Sequence, residues 1–304
     1  MKLKTTLSAL AIVAAAPALA DCDTVTFSDV GWTDITATTA ATTLVLEALG
    51  YETDVKVLSV PVTYTSLANK DVDVFLGNWM PTMEADIAPY REAGTVDTVR
   101  ANLEGTKYTL ATNAAGAALG IADFADIAEH AEALDGKIFG IEAGNDGNRL
   151  ILDLIAADTY GLGAMELVES SEQGMLAQAK RLDSRGEPVI FLGWEPHPMN
   201  ANIEMTYLTG GEEWFGAEGQ VYTNTSAGYV DECPNVGALL KNLEFTLAME
   251  NEIMGAILDD GQDPDEAASA WLAANPGVLE GWLDGVTTKD GGDAMAAVKG
   301  ALGL

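Results

Sequence analysis

Three tryptophans and one aspartate stand where a ligand site would form. Trp32 follows a β-rich run at residues 24–30, and Asp34 lies two residues beyond it. Trp79 follows the apolar run 72–76 and Gly77; Trp194 follows 188–192 and Gly193. A further segment, Gly144-Asn145-Asp146-Gly147-Asn148, comes after an expected strand at 137–141 and opens a helix. Open α/β sheets bind ligands beyond the carboxyl ends of their strands. Aromatic faces there suit sugars by stacking and quaternary ammonium ions by cation–π attraction, at about 0.5 to 2 kcal/mol per ring. A quaternary ammonium has no N–H to satisfy, so ring faces deprive it of few water contacts. Three or four rings and one carboxylate can reach the roughly 8 kcal/mol of a micromolar complex. Asp34 can supply the countercharge, and it can equally cap the helix that follows; the two roles are compatible.

The elements that must position these residues alternate between strand and helix. After 24–30, Ala41, Leu44, Val45 and Ala48 share one helical face, and Gly50 marks its C-terminal stop. Strands are predicted at 53–60, 72–76, 137–141 and 188–192, and helices at 62–69, 148–160 and through most of the chain beyond about 235. Such alternation argues for an α/β protein with largely parallel sheets. Two segments echo each other: Val74-Phe75-Leu76-Gly77-Asn78-Trp79-Met80-Pro81 and Val189-Ile190-Phe191-Leu192-Gly193-Trp194-Glu195-Pro196.

Composition narrows the function. The 304 residues fit about two domains. The net charge of -32 disfavours nucleic acid and anionic membranes as partners, while 48% hydrophobic residues suffice for sizeable cores. Two cysteines and two histidines argue against zinc sites of the usual kinds, and no metal and no cofactor is expected. Residues 1–20 read as a secretory signal: Lys2 and Lys4, an apolar stretch, then Ala18-Leu19-Ala20. The stretch is too short for the roughly 20 residues of a membrane span. Asp21 before Cys22 is not the small residue of a lipoprotein signal. Cleavage removes two lysines and no acid, leaving 13 basic against 47 acidic residues, a charge of -34. Export places Cys22 and Cys233 in an oxidising compartment, where a disulfide is expected, with a free catalytic thiol as the alternative. No G-x-S-x-G, H-E-x-x-H or phosphate-loop pattern occurs. The expectation is therefore not an enzyme. The rival class is an exported hydrolase with an aromatic sugar-binding cleft.

Taken in order, the runs Ser28-Asp29-Val30-Gly31-Trp32-Thr33-Asp34, Gly77-Asn78-Trp79-Met80-Pro81, Gly144-Asn145-Asp146-Gly147-Asn148 and Gly193-Trp194-Glu195-Pro196-His197-Pro198-Met199 resemble the periplasmic choline-binding proteins. These form part of the glycine betaine/choline group of ABC-transporter substrate-binding proteins. The resemblance spans essentially the whole mature chain. It implies a type II, two-lobed α/β fold: two mixed sheets flanked by helices, joined by two crossovers. The first lobe would hold 21–108 and 224–304, the second 109–223, with crossovers near Tyr108-Thr109-Leu110 and Val221-Tyr222-Thr223-Asn224. Both cysteines would then share the first lobe, and closing so long a loop would add about 5 kcal/mol in the chain-entropy model.

The resemblance also implies site roles. Trp32 and Trp79 would be the box walls of the first lobe; Tyr108 and Trp194 would close it from the second. Asp34 would balance the cation, and Asn145 would hydrogen-bond the hydroxyl. Tyr108 is singled out only by the resemblance. The implied ligand is choline, handed to a membrane permease and its ATPase by a monomeric periplasmic protein. The rival ligand, glycine betaine, needs donors for its carboxylate, whereas this cup offers Asp34 and an amide. Outside the site, Trp271 and Trp282 read as helix-packing residues and His197, between two prolines, as structural. Arg149 reads either as a carboxylate binder or as one half of a helix-surface ion pair.

Overall fold

The structure, a computed structural model, describes residues 22–304. The expected signal segment, 1–20, lies outside the described residues. Among them are nine strands: β1 (Thr24–Asp29), β2 (Glu52–Val57), β3 (Val74–Met80), β4 (Val96–Asn113), β5 (Lys137–Phe139), β6 (Glu166–Val168), β7 (Ile190–Glu195), β8 (Met205–Tyr207) and β9 (Gly219–Ser226). They hydrogen-bond in the order β2-β1-β3-β9-β4-β7-β5-β6, with β8 also on β4.

One strand divides this path into two lobes. Residues Val96 to Thr106 of β4 pair with β9; from Lys107 onward the same strand pairs with β7, and its end pairs with β8. The sheets are mixed. β1 runs parallel to β2 and β3, and β5 parallel to β6 and β7, while the central β3–β9–β4–β7 run is antiparallel. The expectation of largely parallel sheets is corrected here, because β4 and β9 carry the chain between the lobes in opposite senses. β9, which includes residues 221–224, pairs with β3 and the first part of β4, and Thr209 bridges to Asp123.

The first lobe is built around the helix Thr33–Ala48, which is buried along most of its length. A threonine-rich helix tolerates burial because its hydroxyls bond back to carbonyls one turn earlier. Thr38 donates to the Asp34 carbonyl at 3.1 Å, Thr42 to that of Thr38 at 2.8 Å, and Thr43 to that of Thr39 at 3.0 Å. Gly50, at φ +94°, adopts the left-handed conformation that ends it. The helices Leu247–Leu258 and Pro264–Ala274 pack on this helix from the C-terminal region, which is helical as expected. Cys22 and Cys233 form a disulfide, Cα to Cα 5.6 Å, tying the start of β1 to the helix Pro234–Asn242. Trp282 is buried and donates to the Glu244 carbonyl; Trp271 is half-buried and donates to Glu252. No described helix is long and apolar enough to cross a membrane.

Candidate functional site

Strand and helix ends from both lobes converge on one cleft. Gly31, at φ +81°, turns the chain out of β1, and Trp32 occupies the N-cap position of the helix Thr33–Ala48 without a side-chain cap bond. Its indole Nε1 donates across the lobes to Glu142 Oε1 at 2.8 Å. Trp79 lies near the end of β3, and its Nε1 donates to Asp34 Oδ2 at 2.9 Å. Tyr108 and Trp194 are register partners on β4 and β7. The Tyr108 ring centroid is 5.9 Å from that of Trp79 and 6.2 Å from that of Trp194, with interplanar angles of 58° and 87°. The cleft is lined by Trp32, Asp34, Trp79, Tyr108, Ile141 and Trp194. The echo seen in the sequence is also structural: β3 and β7 each lead through tryptophan into a cis X–Pro bond, Met80–Pro81 and Glu195–Pro196.

Asp34 is 1% exposed and does not cap its helix; it sits in the first turn with its side chain turned to Trp79. Its second oxygen, Oδ1, has no partner. Burial, reinforced by the nearby charge of Glu172 and opposed by the Trp79 hydrogen bond, pushes the Asp34 carboxyl up to about 7. Burial likewise raises Glu142 to about 7 and, opposed by the Thr82 hydroxyl, Asp146 to about 6. A cation entering this cleft would restore the ionised form of Asp34. No lysine or arginine lines it.

Asn145 opens the helix that follows β5. It caps the helix Asp146–Ala156: Oδ1 accepts from the Asn148 N–H at 2.8 Å, and Nδ2 donates to the Glu142 carbonyl. It is not among the residues lining the cleft. Arg149 resolves to an ion pair, but one between lobes: it donates to Asp86 Oδ2 at 2.8 Å and to the Thr82 carbonyl at 3.0 Å. Sequence reasoning missed Ile141, Glu142 and Phe215, whose ring packs edge-on to Tyr108 at 5.9 Å. It also passed over why residue 147 is glycine. A Cβ there would lie 2.0 Å from the Tyr108 hydroxyl and 2.7 Å from Cζ. Tyr108 is held by rings on three sides, so Gly147→Ala should displace it and weaken ligand binding about tenfold, the effect of a modest overpacking strain. A titration followed by tryptophan fluorescence checks this, and unchanged affinity would show that the tyrosine wall is dispensable.

The arrangement presents aromatic rings and one buried carboxylate to a single cleft. Among the described residues no group of three or more His, Cys, Asp or Glu side chains converges to hold a metal ion. Known proteins share this architecture. A solved structure described as an ABC-transporter choline binding protein in complex with choline is 69% identical, with a TM-score of 0.91 over 92% of this chain and 98% of its own. An ABC-transporter choline binding protein in an unliganded semi-closed conformation is also 69% identical, with a TM-score of 0.86 over 94% of this chain and all of the other. An uncharacterized protein of Chromohalobacter salexigens is 52% identical over 150 residues, 48% of this chain and 97% of that protein. The profile of the substrate binding domain of ABC-type glycine betaine transport systems matches residues 23–274, nearly the whole of both lobes, and the chain belongs to that family.

Proposed function

We propose that this protein captures choline between its lobes and delivers it to an ABC-transporter permease. The observation that carries the reading is the cage itself: Trp32, Trp79, Tyr108 and Trp194 around a buried carboxylate with one oxygen unpartnered. The trimethylammonium group would lie among the ring faces with Asp34 Oδ1 as its countercharge, and the hydroxyl end would face the Asn145–Gly147 turn. The identity to a choline-complexed structure supports this ligand. Membership of a transport-binding family sets aside the hydrolase reading. In this proposal one lobe holds β1–β3, β9, the first part of β4 and the C-terminal helices, and the other holds the chain between the crossovers. The protein works as a periplasmic monomer, exported by residues 1–20.

Glycine betaine is the competing ligand, because the family takes its name from it. Its carboxylate would have to enter a cleft lined by Asp34 and no cationic side chain. Competition titrations should give choline micromolar affinity and glycine betaine at least about tenfold less. Equal affinities would overturn the charge-based assignment.

A further inference from the structure

The helix that carries two cage residues lacks a cap of its own. Trp32, at its N-cap position, makes no side-chain cap bond. The first of its backbone donors, the Thr33 N–H, is met instead by a carboxylate 139 residues away, in the other lobe. Glu172 Oε2 accepts the Thr33 N–H at 2.9 Å, and Oε1 accepts the Thr33 hydroxyl at 2.5 Å. The Glu172 side chain is fully buried. His197 completes its shell. Nδ1 of His197 accepts the Met199 N–H at 2.9 Å, so the ring proton resides on Nε2, which lies 3.3 Å from Glu172 Oε1. The His197 ring packs edge-on against Trp194 at 5.0 Å. A hydrogen-bonded and packed chain thus runs behind the cleft from the backbone between Trp32 and Asp34, through Glu172 and His197, to Trp194. Both opposing walls of the cage hang on it.

We infer that Glu172 is a positioning residue, an inter-lobe helix cap that holds the two walls of the cage together once the lobes meet. It is not among the residues lining the cleft, and it reaches the ligand through the turn it holds and through its charge beside Asp34. The donors it serves lie on the one backbone turn that sets the directions of Trp32 and Asp34. A carboxylate near a helix N-terminus is favoured by the helix dipole, and here the benefit exists only when the lobes are in contact. The inference rests on the choline reading.

Choline dissociation would be timed by stopped-flow tryptophan fluorescence in the wild-type protein, Glu172→Ala, Thr33→Val and the double variant. Loss of a charge-assisted bond should speed dissociation about tenfold or more, with association within about twofold, because the contact forms only after encounter. The double variant should be little worse than Glu172→Ala, since the hydroxyl bond that Thr33→Val removes is one of those that Glu172→Ala removes. Unchanged dissociation in both single variants overturns the inference, as does a fully additive double variant. If Glu172→Ala fails to fold, Thr33→Val tests the hydroxyl half of the contact from the other lobe. Amide exchange at Thr33 in the choline-saturated protein tests the cap itself, since the lobes then meet. Protection in the wild type should fall about tenfold or more in Glu172→Ala, or, should that variant not fold, in Glu172→Met, which keeps the bulk and offers no oxygen. Equal exchange overturns the cap, whereas a wild-type protein that ignores choline overturns only the ligand assignment.

Discussion

Asp34→Asn should weaken choline binding by about 100-fold or more at pH 8, because it removes the carboxylate that faces the cation while keeping its shape. The amide oxygen can still accept from Trp79 Nε1, so the indole stays placed. The fold should not suffer. Asp34 is buried beside Glu172, and its charge also raises the carboxyl of the buried Glu250; neutralising it relieves both. The sign of the pH dependence follows. Its carboxyl lies at about 7 in the folded protein against 3.8 for a free one. Its neutral form therefore favours the fold fully below the free value, and this contribution is lost as pH rises through about 7. Cation binding runs the other way, since the ligand favours the ionised form. Wild-type affinity should climb by up to about tenfold per pH unit below 7 and level off above it. The Asn variant at pH 8 should resemble the wild type at pH 5, and any slope it retains reports Glu142 and Asp146, raised to about 7 and about 6. Calorimetric titrations at both pH values decide the matter; wild-type affinity in the variant would remove Asp34 from the site.

Trp194→Ala should weaken choline binding by about 30-fold to several hundred-fold, the loss of an aromatic hot spot. Trp194 is 5% exposed and contributes the second-lobe ring that the Tyr108 edge meets. Its removal subtracts one cation–π face and also opens the cage, so water reaches the ammonium group. The indole lies at the cleft rather than within the apolar layers behind β7, where Phe191 and Leu192 are fully buried. Melting of the unliganded variant should therefore shift little compared with the fall in affinity. Fluorescence titration paired with a thermal melt measures the two quantities separately; retained binding would show that the fourth ring is not part of the cage.

What could be read in the sequence was whatever broke an ordinary rule. Tryptophan after a strand-ending glycine is a poor core residue, and this drew attention to Trp32, Trp79 and Trp194, which the structure brings together. Tyr108 broke no rule. It sits in mid-strand on β4, whose first half lacks a clean apolar alternation because it bridges two lobes rather than covering one core. The 18-residue strand and its partner β9 went unmarked for the same reason. Glu142 and Glu172 were invisible among 47 acidic residues, since what distinguishes them is a partner 110 or 139 residues away. Asn145 was legible twice over, as a helix start and by family pattern, and the structure displays the helix start.

The long β4 strand gives the cage a mechanical character. Tyr108 stands two residues past Thr106, the last residue that pairs with β9, and so lies beside the point where β4 passes from one lobe to the other. Trp194 is locked to Tyr108 by strand register, and Trp79 to Asp34 by a hydrogen bond, so each lobe carries its own pair of cage residues as one unit.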